Sequence, residues 1–198
     1  MKVSGIVLAG GRSSRMGQDK TLMSVNEETL IERTIKELSK SVDEIIIASN
    51  QKCKYNMPGT VEIPDVFPGM GPLGGIHAGL LATRYQYAFI VAADMPLFTA
   101  DLAEYLLNKR NGYDVVAPGI GGRWEPLCAV YSKDCLKPIE QNLVAEIRKI
   151  ICFYPSVRVL KIGEGELRSI GKTEDIFYNL NTPEDYYGLL IREKEAVG

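Results

Sequence analysis

The stretch Val3-Ser4-Gly5-Ile6-Val7-Leu8-Ala9-Gly10-Gly11-Arg12-Ser13-Ser14-Arg15-Met16-Gly17-Gln18-Asp19-Lys20 decides how this chain reads. Val3 to Leu8 is a short apolar run that empties into Gly10-Gly11, as a buried parallel strand does where it enters a loop. Glycines let backbone N–H groups face a phosphate, and Arg12, Arg15 and Lys20 add positive charge beside them. The loop is not a Walker A motif, which needs Gly and Lys adjacent, whereas Gln18-Asp19 separates Gly17 from Lys20. A plain turn with solvated cations is the competing account. Three glycines and three cations directly behind a buried strand argue against it.

From that stretch outward, strand and helix alternate. Glu27 to Leu38 places Leu30, Ile31, Thr34, Ile35 and Leu38 on one helical face. Glu44 to Ala48 reads as a second strand ending at Ser49-Asn50, and Val61 to Ile63 as a third, stopped by Pro64. A helix is expected from Pro72 to about Arg84. Ala88 to Ala93, continuous and apolar, is the expected central strand and ends on Asp94. Beyond it come a helix from Thr99 to Lys109, a strand Asp114 to Ala117 closed by Pro118, a strand Leu127 to Tyr131, a helix Asp134 to Ile151 and a strand Val157 to Ile162. Thr182-Pro183-Glu184-Asp185 reads as an N-cap, a proline at the first helical position and two acids in the first turn of a last helix. The pattern is one α/β domain on a mostly parallel sheet.

Composition sets the outer limits. The 198 residues are 45% apolar and 24% charged, enough for a full core and unlike a disordered chain. With 23 Lys and Arg against 25 Asp and Glu, the net charge of −2 gives no global basis for binding nucleic acid or an anionic membrane. No run approaches the ~20 apolar residues that span a bilayer, and no signal peptide is read, so a cytoplasmic setting is expected. Cys53, Cys128, Cys135 and Cys152 form no C-x-x-C pair and His77 is the one histidine, which argues against a disulfide scaffold, a zinc site and Ser-His-Asp chemistry.

In open α/β sheets ligands bind beyond the carboxyl ends of the strands. The first glycine loop, Asn50, Asp94, Asn179 and Asn181 all fall just past expected strand ends, so one rule gathers them onto one edge. Asp94, in Ala92-Ala93-Asp94-Met95-Pro96, suits magnesium held between protein and substrate phosphates. Asn50, Asp65, Asn179 and Asn181 would each also serve as turn residues. Gly69-Met70-Gly71-Pro72-Leu73-Gly74 formally matches G-x-G-x-x-G, with Asp94 20 residues beyond Gly74, yet Pro64 and Pro68 interrupt the strand that a dinucleotide fingerprint must follow. His77, Trp124 and the cysteines read as packing.

With these residues assembled, the chain resembles the molybdenum cofactor guanylyltransferases, the MobA-like nucleotidyltransferases. The matching stretches are Leu8-Ala9-Gly10-Gly11-x-Ser13-x-Arg15-Met16-Gly17-x-Asp19-Lys20, Gly71-Pro72-Leu73-Gly74-Gly75, Asp94-Met95-Pro96 and Asn179-Leu180-Asn181-Thr182-Pro183-Glu184-Asp185. They come in family order over nearly the whole chain. Ala-Gly-Gly, where related cytidylyltransferases tend to have Ala-Ala-Gly, and Asp-Lys in place of Pro-Lys favour the guanylyl branch.

The resemblance implies a single three-layer, Rossmann-like (GT-A-like) α/β domain over 1–198, with a nucleotide-binding part to about 97 and an acceptor-binding part after it. It implies that Leu8, Ala9 and Gly10 line the GTP site through backbone groups, with Gly11 alongside. Lys20 would contact the triphosphate, Asn50 and Asp65 the nucleoside, and Asp94 the Mg2+ ion. Asn179 and Asn181 would stand near the metal and the acceptor, and the Gly119–Pro126 loop would face the pterin. The implied reaction is attack by the terminal phosphate of molybdopterin on the α-phosphorus of GTP, with pyrophosphate leaving. Lys20, Arg15 and magnesium on Asp94 would neutralise charge and align that attack. A GTP-binding helper or molybdoenzyme-delivery partner would be a separate protein. Two alternatives stay open: a cytidylyltransferase acting on the molybdenum cofactor or an isoprenoid precursor, and a nucleotide-binding module without turnover or the oxidoreductase of the formal glycine match.

Overall fold

In the computed structural model the chain runs from strand β1 (Ser4–Leu8) to a short antiparallel pair, β2 (Ser24–Val25) and β3 (Glu28–Thr29), and then helix α1 (Leu30–Leu38). Strands β4 (Glu44–Ser49) and β5 (Thr60–Pro64), helix α2 (Pro72–Ala82) and strand β6 (Tyr87–Ala92) follow. The second half comprises α3 (Ala100–Asn108), β7 (Val115–Ile120), β8 (Arg123–Trp124), β9 (Cys128–Ser132), α4 (Leu136–Val144), β10 (Val159–Gly163), α5 (Glu164–Leu167), α6 (Thr173–Ile176) and α7 (Pro183–Val197). The structure describes residues 2–10, 20–25, 28–49, 51 and 53–197, with only the backbone of residue 20 and of 193–197.

The main sheet has the order β10-β7-β9-β6-β1-β4-β5, with β8 attached to β7. All neighbours along that path are parallel except β9, which runs against both β6 and β7. Strand alternation gives the sheet two apolar faces. Val7, Ile47, Phe89 and Val91 pack with Ile31 and Leu38 of α1 and Leu102 and Leu106 of α3. Ile6, Ile46, Ala88 and Ile90 pack with Leu73, Ile76 and Leu80 of α2 and Ile139 and Leu143 of α4. Helices on both faces make the three layers that the parallel pattern implies. Helix α2 is buried from Leu73 to Leu80, and at Gly79 a Cβ would come within 2.7 Å of the Ile6 side chain. The helix accepts glycine's conformational cost, about 1 kcal/mol against alanine, because only a bare backbone lets it lie that close to β1. His77 sits in this buried run with its ring edge-on to Phe67 at 5.2 Å, as a packing residue.

Three segments depart from the sequence expectation. Helix α1 starts at Leu30 rather than Glu27, because Thr29 forms a reciprocal capping box with Glu32. Strand β7 does not stop at Pro118: it continues to Ile120 and turns through Gly121 and Gly122, both at positive φ, into β8. The helix expected over Asp134 to Ile151 is three pieces, a tight turn Lys133–Cys135, α4, and a 3-10 segment Ile150–Ser156.

Candidate active site

Strand β1 lies between β6 on one side and β4 on the other, so the chain leaves its carboxyl end in two directions and opens a crevice there. The pairing continues past the strands. The Ala9 N–H donates to the Ala48 carbonyl at 2.9 Å, and the Ala93 N–H donates to the Leu8 carbonyl at 3.0 Å. The exits of β1, β4 and β6 are thereby level, and Asp94 is the next residue of the last of them.

The start of the glycine loop is held in detail. The Leu8 carbonyl and the Ala9 N–H are engaged in these bonds, and the Ala9 carbonyl accepts from the Tyr55 hydroxyl at 2.9 Å. The Gly10 N–H, in contrast, has no partner among the described residues, so the backbone at Gly10 is open to a ligand. The same Tyr55 hydroxyl shares a hydrogen bond with Thr21 Oγ1 at 2.9 Å. One buried phenol thus ties the entry of the loop to its exit. Gly11, Arg12 and Arg15 lie outside the described residues, as does the Lys20 side chain; the Lys20 backbone opens the 3-10 turn Lys20–Leu22.

Asn50 also lies outside the described residues; Ser49 before it and Lys54 and Tyr55 after it converge on Glu62. The Glu62 carboxylate accepts from Ser49 Oγ at 2.9 Å, from the Lys54 N–H at 3.0 Å and from the Tyr55 N–H at 3.1 Å. Burial pushes this carboxyl up, yet the bonds from Tyr55, Ser49 and Lys54 outweigh it and hold the group below its ordinary value. Neither Tyr55 nor Glu62 belongs to a motif, and each reaches its partners only through the fold.

Asp65 follows β5 and reaches the first turn of α2. A Cβ placed on Gly75 would stand 3.2 Å from Leu8 Cδ2, 3.7 Å from Asp65 Oδ1 and 3.8 Å from Ala48 Cβ. The carboxyl is therefore beside the ends of β1 and β4, and the glycines of Gly71-Pro72-Leu73-Gly74-Gly75 leave room for it. Burial alone pushes it above the ordinary carboxylate value. The glycine run does not sit at a strand end: β5 stops at Pro64, and Gly69 and Gly71 turn the chain at positive φ before α2 begins.

The late asparagine stretch arrives from the other side. The Leu180 N–H donates to the Asp94 carbonyl at 2.9 Å, which lays Asn179–Asn181 against Asp94. The stretch is itself braced by Asp185, whose Oδ2 accepts from the Asn181 and Thr182 N–H groups at 2.8 Å each. The Asp185 N–H donates in turn to Thr182 Oγ1 at 3.2 Å. The Asn179 amide donates to the Phe177 carbonyl at 3.0 Å, a local turn bond. The hairpin of β7 and β8 ends at the same edge, because Leu127 just before β9 accepts from the Ala92 N–H at 2.9 Å. Among the described residues, no three His, Cys, Asp or Glu side chains cluster to hold a metal. A single hard carboxylate such as Asp94 fits an ion that arrives with its substrate phosphates, which needs only one or two protein oxygens.

Residues 5–156 match the family model of the MobA-like NTP transferase domain. The chain belongs to that family. The probable molybdenum cofactor guanylyltransferase of Pelotomaculum thermopropionicum is 42% identical over 185 residues, covering 93% of this chain and 90% of that protein. The protein of the same description from Clostridium perfringens strain ATCC 13124 is 37% identical over 205 residues, covering 98% and 99%. Among solved structures, the molybdopterin-guanine dinucleotide biosynthesis protein A of Archaeoglobus fulgidus superposes with a TM-score of 0.85 at 26% identity, covering 97% of this chain and 99% of that one. The family match takes in the glycine loop, Asp65, Asp94 and the β7–β8 hairpin, and it stops before Asn179. Among the described residues, no helix of this family member is long and apolar enough to cross a membrane.

Proposed function

We propose that this protein transfers GMP from GTP to the terminal phosphate of molybdopterin, releasing pyrophosphate and forming the guanine dinucleotide form of the cofactor. The observation that carries the reading is the meeting of the β1 and β6 exits, where the Leu8 carbonyl is bonded to Ala93 beside Asp94. In support, Gly10 leaves β1 at the edge where β6 delivers Asp94, in a family member whose relatives bear the guanylyltransferase name.

On this reading the glycine loop holds the triphosphate through its backbone N–H groups from Gly10 to Gly11, and Arg15 and Lys20 bring cations to it. Asp65 accepts from the guanine ring N–H and amino group, and Asn50 borders the nucleoside. Asp94 holds magnesium carried by the nucleotide, which supplies charge neutralisation at the α-phosphate. Asn179 and Asn181, laid against Asp94 by Leu180, flank the acceptor phosphate. The chain's work is positioning two anions in line and stabilising the charge that develops between them, and no covalent nucleophile is required.

The test is pyrophosphate release measured with each of the four NTPs and molybdopterin. GTP is expected to be the preferred donor by a wide margin; preference for CTP would overturn the proposal.

A further inference from the structure

Asp65 has a counterpart on the other side of Asp94. Glu125 lies in the connection from β8 to β9, half-buried, and its carboxylate has no hydrogen bond or ion pair among the described residues. Its backbone is fixed at both ends: the Glu125 N–H donates to the Pro118 carbonyl at 2.9 Å, and the Glu125 carbonyl accepts from the Cys128 N–H at 3.3 Å. Two residues on, the Leu127 carbonyl takes the Ala92 N–H at the exit of β6. Glu125 therefore stands on the ligand edge between the ends of β7 and β6, as Asp65 stands beside the ends of β1 and β4.

A partly desolvated carboxylate without donors is unfavourable, and such groups gather where a ligand supplies what the protein omits. Burial pushes the Glu125 carboxyl above its ordinary value, with no compensating bond, as it does for Asp65. The separation also suits two ends of one product. Strand β9 and strand β4 are three strand spacings apart across the crevice, roughly 14 Å, the order of distance between two heterocycles joined through a pyrophosphate. Guanine and a pterin share a 2-amino-4-oxopyrimidine ring, which presents a ring N–H and an exocyclic amino N–H side by side. A carboxylate accepts that pair with both oxygens.

We propose that Glu125 reads the pterin of the acceptor through this donor pair, as the acceptor-side equivalent of Asp65. The assignment rests on the guanylyl-transfer reading for the identity of the acceptor, and its test separates the two. In Glu125→Gln one oxygen becomes an amide that faces a donor, with volume unchanged. The KM for molybdopterin is expected to rise roughly ten- to a hundredfold, with the KM for GTP unchanged and the melting temperature not lowered. Glu125→Ala gives the same split should the glutamine variant fold poorly, and Asp65→Asn gives the reverse split. Calorimetric titration of each variant with molybdopterin alone repeats the comparison without turnover. An acceptor KM and binding constant within twofold of the unsubstituted protein, or an equal rise in the GTP KM, would overturn the role of Glu125. Molybdopterin binding that depends on Glu125, in a protein that releases no pyrophosphate, would sustain Glu125 and overturn the transfer reaction instead.

Discussion

The Tyr55 hydroxyl donates to the Ala9 carbonyl at 2.9 Å across 46 residues of sequence, and it bonds Thr21 Oγ1 at the same distance. It braces the entry of the glycine loop at Ala9 against its exit at Thr21. Tyr55→Phe keeps the ring and leaves a carbonyl and a hydroxyl buried without that partner, a cost of about 1–3 kcal/mol. The melting temperature is expected to fall by roughly 2–12 °C. The KM for GTP is expected to rise severalfold, with the acceptor KM unchanged. Steady-state titration of each substrate beside a thermal melt checks this; equal effects on both substrates would mean that Tyr55 serves only the fold.

Asp94 is anchored through its backbone to Leu180, so Asp94→Asn preserves the chain path while removing the charge. Turnover is expected to drop by about a hundredfold or more, with the circular dichroism spectrum unchanged. Turnover surviving at saturating magnesium would refute the proposed metal role.

Asp65 makes opposite predictions for stability and for binding. Its folded carboxyl is raised by burial, so the folded state binds the proton more tightly than the unfolded one. The group therefore opposes folding above its unfolded pKa, and this opposition fades as pH falls. Asp65→Asn should raise the melting temperature at neutral pH while weakening GTP binding roughly ten- to a hundredfold. In the unsubstituted protein, GTP binding should strengthen as pH rises through the raised value. A calorimetric series between pH 4 and 8, a range set by ordinary carboxylate values with room above them, reads both trends.

At the opposite end of the sheet, Asp114 accepts from the Arg158 N–H at 2.9 Å, from Nε at 3.1 Å and from Nη2 at 2.8 Å, joining the starts of β7 and β10. The side-chain bond from Arg158 leads in holding this carboxyl below its ordinary value. A lowered folded value stabilises above the unfolded pKa of about 3.9, and that contribution is lost as pH falls through the folded value. Asp114→Asn should cost about 2 kcal/mol, or roughly 4–8 °C in melting temperature. Both KM values should stay unchanged, because the pair stands away from the ligand edge.

The parallel half of the fold was legible because its signals are local. Strands β1, β4 and β6 are continuous apolar runs, and the glycine loop and Asp94 fall just past the ends of such runs, whereas Leu8 and Asp65 came from the family resemblance. Misreadings came where a distant partner or an uncommon residue set the geometry. Helix α4 stops because Glu146 takes a left-handed conformation at φ 58°, with the Ile147 N–H bonded to Asn142 and the Glu146 N–H to Leu143. That Schellman closure normally advertises itself with a glycine, and here the position is a glutamate. Pro118 reads as a terminator, yet the ladder to β9 covers only Val115 and Val116, and Pro118 meets the next segment through its carbonyl. Tyr55, Glu62 and Glu125 carry no motif. Their places follow from which strand ends the sheet order brings side by side.

Strand β9 runs against its neighbours and so brings its beginning, not its end, to the ligand edge. A crossover between parallel strands needs a packed helix, while an antiparallel return needs only a turn. Residues 119–126 therefore hang from β7 and β9 with no helix of their own in the core, whereas the stretches around Gly10 and Asp65 each lead into a helix that is part of it. On the proposed roles, donor choice would be welded to the foundation of the molecule and acceptor choice carried on an interchangeable tip, which a relative's sequence could replace without disturbing the rest.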